Sequence, residues 1–287
     1  MKLIKYFLQS LMIYFLFLLY RLLGYKFASN LSSLIVNYIG PFFRSKQLIK
    51  DNILRAFPNL NTRDIKKISD EMWKNYGRIL CEYMFIKKFR YSKKKNHILI
   101  IGKEILTEIK KSNMPVIFIS GHFDNFELMA MTLEKEGIDL AAIYRPLNNI
   151  FLNYLMEKIR KKYICKNQIK KGITGTKKLL QFFKQGTSIA LMIDQRVSQG
   201  IKSNFFNQEA LTTTIPAQFV KKYNCNIVPI YIERIKGYNF QLKIYKPIKY
   251  PKNESISSIT LSLNKILETM IVKNPGQWIW SHNRWKI

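Results

Sequence analysis

Apolar and polar positions fall in blocks whose period changes along the chain. Residues 3–23 are largely apolar, broken by Gln9-Ser10 and flanked by Lys2, Lys5, Arg21 and Lys26. A helix crossing a bilayer upright needs about 20 such residues. This stretch is just long enough to span, or else lies in the interface. Ala28-Ser29 leaves a cleaved leader open, but no small-residue cleavage site closes the stretch well, so an uncleaved membrane anchor is the expectation. A second apolar stretch, 31–43, contains Gly40-Pro41 and is expected to lie against the same membrane or the body of the protein. Residues 47–86 then read as helices, broken at Pro58. Asn61-Thr62 offers an N-cap, and Ile65, Ile68, Met72, Tyr76, Ile79 and Leu80 form a stripe of helical period. Trp73, Asn75, Gly77 and Arg78 interrupt that stripe in ways core packing does not require. The basic run 87–95 reads as a solvated loop or, alternatively, a lipid or carrier contact.

From His97 onward strand and helix patterns alternate. Short continuous apolar runs at 98–101, 116–119, 140–144, 189–193 and 227–232 predict buried strands, and 240–244 reads as a further strand. Helical periods lie between them, at 104–111, after Asp124, and at 150–162 and 176–184; the last long helix is 256–273. This order predicts one α/β domain over 46–287, a mostly parallel central sheet with helices on both faces. Residues 1–45 form a separate amino-terminal segment carrying the membrane-anchoring helix.

Candidate chemistry gathers where strands end. The strand at 116–119 breaks at Ser120-Gly121 and hands over to His122, on the turn into the next helix. Open α/β sheets usually carry ligands in this crevice. Glu127, five residues on, stands in the first helical turn, from which its carboxylate can reach back to the imidazole and fix its tautomer. Such a pair suits removal of a proton from a substrate hydroxyl. Asp124-x-x-Glu127 also reads as a capping box, with His122 a turn histidine, and the residues alone leave both readings open. Arg145 and Asp194 end two further strands. If the three strands are neighbours, all three residues line one edge of the sheet.

Charge narrows the partners less than its size suggests. The formal net charge is +30, most of it from lysine. Base composition alone can produce such a bias, yet the field attracts anionic lipid, phosphorylated substrates or an acidic carrier. No nucleic-acid recognition motif accompanies it, so nucleic acid is not expected as a partner. Cys81, Cys165 and Cys225 are odd in number and far apart, and with only three histidines they form no zinc pattern. Buried thiols in a reducing compartment, and no metal or other cofactor, are expected. A nucleophilic serine is not, because Ser120 lacks a Gly-x-Ser-x-Gly elbow.

The stretch Ser120-Gly-His122-Phe-Asp-Asn-Phe-Glu127 resembles the His-x4-Asp/Glu motif of glycerolipid-type acyltransferases, in the form found in the lipid A late acyltransferases. Asn52-Ile-Leu-Arg-Ala-Phe-Pro58, Met72-Trp-Lys-Asn-Tyr-Gly-Arg78, Tyr144-Arg-Pro146 and Arg160 agree in order with that family. So do Asp194, Phe205-Phe206, Ala210, Thr212-Thr-Thr214 and Pro275-x-Gln-Trp-x-Trp-x-His282-x-Arg-Trp285. The likeness runs over about residues 50–287. It implies a glycerolipid-acyltransferase-like fold at the bacterial inner membrane, with the site at its cytoplasmic face. It also implies acyl transfer from acyl carrier protein thioester, or less readily acyl-CoA, to a hydroxyl of a phosphorylated glycolipid, the lipid A precursor. His122 would act as base and Glu127 as its orienting carboxylate, with Arg145, Arg160 and Asp194 binding substrate. Alternatives are another acceptor, such as a lysophospholipid or other glycolipid, and a catalytically silent protein that binds anionic lipid. The sequence departs from the family at Asp124, where a small residue is common. There a second carboxylate near His122 is expected to raise the imidazole pKa. It departs again at Pro275-Gly276-Gln277 and His282-Asn283-Arg284.

Overall fold

The computed structural model describes residues 2–92 and 97–286. The chain runs α1 (Lys2–Leu23), α2 (Tyr25–Ile39), α3 (Lys46–Ala56), α4 (Thr62–Glu82), α5 (Ile86–Tyr91), β1 (Ile98–Ile101), α6 (Lys103–Ser112), β2 (Ile117–Ser120), α7 (Glu127–Lys135) and β3 (Leu140–Tyr144). It continues through α8 (Ile150–Ile159), β4 (Asn167–Lys170), α9 (Ile173–Lys184), β5 (Ser188–Met192), β6 (Ile201–Phe205), β7 (Gln208–Thr212), α10 (Ile215–Tyr223), β8 (Ile227–Lys236), β9 (Asn239–Ile244) and α11 (Ile256–Lys273).

Seven strands form one sheet in the order β1-β9-β8-β2-β5-β3-β4. Every neighbouring pair is parallel except β8 and β9, which form an antiparallel pair. The fold is therefore α/β with a mostly parallel central sheet flanked by helices, as the alternation of periods predicts. β2 is buried along its whole length between β5 and β8, which is why it reads as an unbroken apolar run. The β2–β5 register pairs Ser120 with Met192, so two steps further on His122 and Asp194 face each other across adjacent strand ends.

The hairpin β6–β7 was not predicted, and its composition explains why. Lys202, Asn204 and Glu209 alternate with buried Phe205 and Ala210, and the pattern is too short to stand out. Its two-residue turn, Phe206-Asn207, has positive φ at both positions, the geometry of a type I′ hairpin turn. The Phe206 amide donates to Glu268 of α11 at 2.8 Å, and Asn264 of α11 donates to Asn204 O at 2.9 Å, which seats the hairpin on the last helix.

At the amino end, α1 is long and apolar enough to cross a membrane, with most of its residues exposed. It packs against α2 and α8, and α2 packs along α4. The residues that interrupt the stripe of α4 make that second contact. Gly77 leaves no room for a Cβ beside the Ser32 carbonyl, and Ser32 Oγ donates to Gly77 O at 2.6 Å. Trp73 lies against Gly40, and Arg78 donates to Ser29 and Asn30. The basic run at 87–95 is not simply a loop: its first part is α5, with Ile86 and Phe89 buried, while 93–95 lie outside the described residues. Cys81, Cys165 and Cys225 are buried and unbridged.

Candidate active site

His122 leaves β2 with its ring half-buried at the carboxyl edge of the sheet. Its Nδ1 lies 2.8 Å from Asp194 Oδ1, and its backbone amide donates to Asp194 Oδ2 at 2.8 Å. Asp194 is fully buried and also accepts from Trp278 Nε1 at 2.8 Å. The carboxylate that holds the imidazole is therefore Asp194, not Glu127 as the local spacing suggests. Three donors converge on Asp194, and charge-assisted bonds of this kind are the stronger ones. Burial alone would push the Asp194 pKa up. The charge of His122 and these bonds overcome that and bring it to about 2. Burial pulls the His122 pKa down, but the charges of Asp194 and, through space, Glu127 outweigh it and raise the pKa above the ordinary value of 6.5.

Glu127 opens α7 and faces the other way. Its Oε1 accepts from Arg160 Nε at 2.8 Å and Nη2 at 2.6 Å, and from the Tyr83 hydroxyl in a short hydrogen bond. Arg160 Nη2 also donates to Tyr83 at 3.1 Å, and the guanidinium lies over the Tyr144 ring. Arg160 stands where α8 gives way to a π-helical turn, Arg160–Ile164, closed by Cys165 N donating to Arg160 O at 3.0 Å. Such turns occur frequently at functional sites. Arg160 Nη1 is buried and has no protein partner among the described residues. The solvated basic face that the surrounding lysines suggest does not include Arg160.

No capping box forms. α7 starts at Glu127 without a side-chain cap, and Asp124 adopts a left-handed conformation with φ 39°. Its carboxylate turns from His122 to Arg234, with Oδ1 2.8 Å from Nη2. Burial raises the Asp124 pKa to about 6 despite that cation. The expected elevation of the His122 pKa is present, but Asp194 and Glu127 cause it rather than Asp124. Arg234 also meets Glu82 at 2.6 Å, and Glu82 accepts from Asn125 Nδ2 and the Tyr25 hydroxyl, both at 2.8 Å. Three charged side chains and two neutral ones thus anchor Asp124 and Asn125, the stretch between His122 and α7. Arg145, at the end of β3, is exposed and forms no ion pair among the described residues.

The carboxyl-terminal motif supports this floor. His282 Nε2 accepts from the Arg196 amide at 3.0 Å, a structural bond, and burial lowers its pKa to about 4. Trp278, Trp280 and Trp285 are core residues, and buried Arg284 donates to Thr212 Oγ1 at 2.7 Å. Sequence reasoning missed Tyr83 and the Asp194-binding role of Trp278. For Tyr83 no signal was available, since it follows an ordinary helix end.

Fold and site together define a class: an α/β protein with a histidine–carboxylate pair where two central parallel strands end, a layout suited to general-base chemistry. The family model described as bacterial lipid A biosynthesis acyltransferase matches residues 1–287, the whole chain. The chain belongs to that family of acyltransferases. It is 25% identical to lipid A biosynthesis acyltransferase 2 of Shigella flexneri over 186 residues, which span 62% of this chain and 58% of that protein. It is 23% identical to the lipid A biosynthesis lauroyltransferase of Escherichia coli (strain K12), over 91% of this chain and 85% of that one. The palmitoleoyltransferase of the same organism is 24% identical over 86% and 80%. Among solved structures, the 1-acyl-sn-glycerophosphate acyltransferase PlsC of Thermotoga maritima matches 89% of this chain and all of its own, with a TM-score of 0.42 and 14% identity.

Proposed function

We propose that this protein transfers a fatty acyl chain from acyl carrier protein thioester to a hydroxyl of a lipid A precursor, at the cytoplasmic face of the bacterial inner membrane. Family membership supports the reaction class, and the exposed apolar face of α1 supports the location. The observation that carries the mechanism is the 2.8 Å contact from His122 Nδ1 to Asp194. With Nδ1–H donated to Asp194, Nε2 keeps its lone pair, and no described residue engages it by a hydrogen bond. Nε2 takes the proton of the acceptor hydroxyl as that oxygen bonds to the thioester carbonyl carbon. When the C–S bond breaks, the imidazolium returns the proton to the departing sulfur. No acyl-enzyme is formed.

Asp194 fixes the tautomer and supports the imidazolium, while the negative charge of Glu127 adds to that support without touching the ring. Base catalysis of this kind supplies typically ~10²–10⁴-fold. Stabilisation of the carbonyl oxyanion must supply much of the rest. The Arg160 Nη1 donor suits that oxyanion, and the exposed guanidinium of Arg145 suits an acceptor phosphate. The amino-terminal segment 1–45 serves as the membrane seat. The test is incubation of the purified full chain with acyl carrier protein thioester or acyl-CoA and with lipid A precursor or lysophospholipid, products being read by mass. An acylated lipid A precursor that disappears with His122→Ala is expected. Wild-type product from His122→Ala would sink the mechanism, and product only on lysophospholipid would move the function to glycerophospholipid synthesis.

A further inference from the structure

A pocket whose lining does not include His122 lies between α2, α4 and the turn joining β8 to β9. It has a volume of about 180 Å³ and is lined by Tyr25, Lys26, Ser29, Asn30, Arg78 and the Gly237-Tyr238 turn. We infer that this pocket binds the phosphate of a membrane lipid headgroup, independently of the acyl-transfer site. Its two cations carry the argument. Arg78 is partly buried, yet Nη1 is held by neutral acceptors, Ser29 Oγ at 3.2 Å and Asn30 Oδ1 at 2.9 Å, and it meets no carboxylate among the described residues. Lys26 is exposed and rests over the Tyr238 ring, 5.7 Å from its centroid, again without an acidic partner.

Glu82, the carboxylate that the Tyr25 hydroxyl reaches, is fully buried and already committed to Arg234 and Asn125 as well. The pocket thus keeps two uncompensated positive charges beside a hydroxyl and an amide, a set that fits phosphate oxygens. The same helix exposes Phe27, Leu34 and Tyr38 to solvent on an adjoining face. An anion tethered to hydrocarbon can satisfy both surfaces together, whereas a free anion satisfies only the pocket.

The test measures equilibrium binding of dioctanoyl phosphatidic acid to the full chain in a neutral detergent. Lys26→Gln and Arg78→Gln should each weaken binding roughly fivefold, and the double variant more than tenfold. Lys177→Gln/Lys178→Gln, which removes the same charge from exposed positions of α9, should change it less than about twofold. Arg78 also ties α2 to α4, so Lys26→Gln, which breaks no hydrogen bond, carries the result if Arg78→Gln unfolds. Equal losses from both pairs would show attraction to the whole protein's charge and overturn the assignment. So would unchanged binding in Lys26→Gln, or displacement of the lipid by millimolar inorganic phosphate. Because the readout is binding rather than product, either outcome leaves the acyl-transfer mechanism to its own test.

Discussion

Replacing Asp194 by Asn tests which carboxylate serves the histidine. The substitution is nearly isosteric in a fully buried position, so packing around Trp278 is kept. What changes is donor count. Asp194 accepts from the His122 amide, His122 Nδ1 and Trp278 Nε1, all at 2.8 Å. An amide has one oxygen and a donating NH₂, so it cannot accept from all three. If the NH₂ faces Nδ1, the imidazole must carry its proton on Nε2, where it can no longer act as a base. Losing general-base catalysis costs ~10²–10⁴-fold in rate. That is about 3–5 kcal/mol in the transition state, at about 1.4 kcal/mol per factor of ten. Stability should fall as well, by about 1.5–3 kcal/mol for the lost charged bonds. Single-turnover acyl transfer read by mass, together with a thermal melt, separates the two effects. The reasoning fails if Asp194→Asn keeps the wild-type rate within about threefold while Glu127→Gln abolishes it, since Glu127 would then be the orienting group.

Four further outcomes are expected. The rate should fall on acidification with a midpoint above 6.5, because His122 must be neutral and its pKa is raised; Asp194→Asn should move that midpoint down. The same elevation makes the His122–Asp194 contribution to stability fully present below the unfolded pKa and lost as pH rises through the folded one, so the melting difference between wild type and His122→Ala should shrink there. Arg160→Lys keeps the charge but not the fork that reaches Glu127 and Tyr83. A fall in kcat larger than any rise in KM, by about tenfold or more, would fit a role in the transition state; a pure KM effect would not. Gly77→Ala would drive a Cβ into the Ser32 carbonyl and should cost about 1–3 kcal/mol in a denaturant melt. Wild-type stability would mean that α2 and α4 are looser than described.

Six of the seven strands of the sheet were legible as short, mostly apolar stretches, and two of them end in His122 and Asp194; the edge strand β4, Asn-Gln-Ile-Lys, is polar and was not predicted. What local spacing does not contain is which strands pair. His122 and Asp194 are 72 residues apart, and only the β2–β5 register brings them together. Glu127 looks like the partner because it is near in sequence, but Arg160, 33 residues away, claims it with two nitrogens. The apparent capping box fails for a similar reason: buried Arg234 draws Asp124 into a left-handed turn that propensity alone disfavours. The polar interruptions of α4 signalled something real. Their meaning was a seam between two helices, which becomes visible only once α2 is laid alongside.

The Tyr25–Glu82–Arg234–Asp124 relay has a mechanical consequence. It begins on a helix that carries apolar side chains to the molecule's edge and ends two residues from the imidazole. Pulling α2 outward would strip the Tyr25 hydroxyl from the buried Glu82 carboxylate, and losing a hydrogen bond to a charged group costs about 1.5–3 kcal/mol. The exposed apolar rim of α2 and the loop that carries His122 are therefore braced by one strut. A load on one is borne by the other.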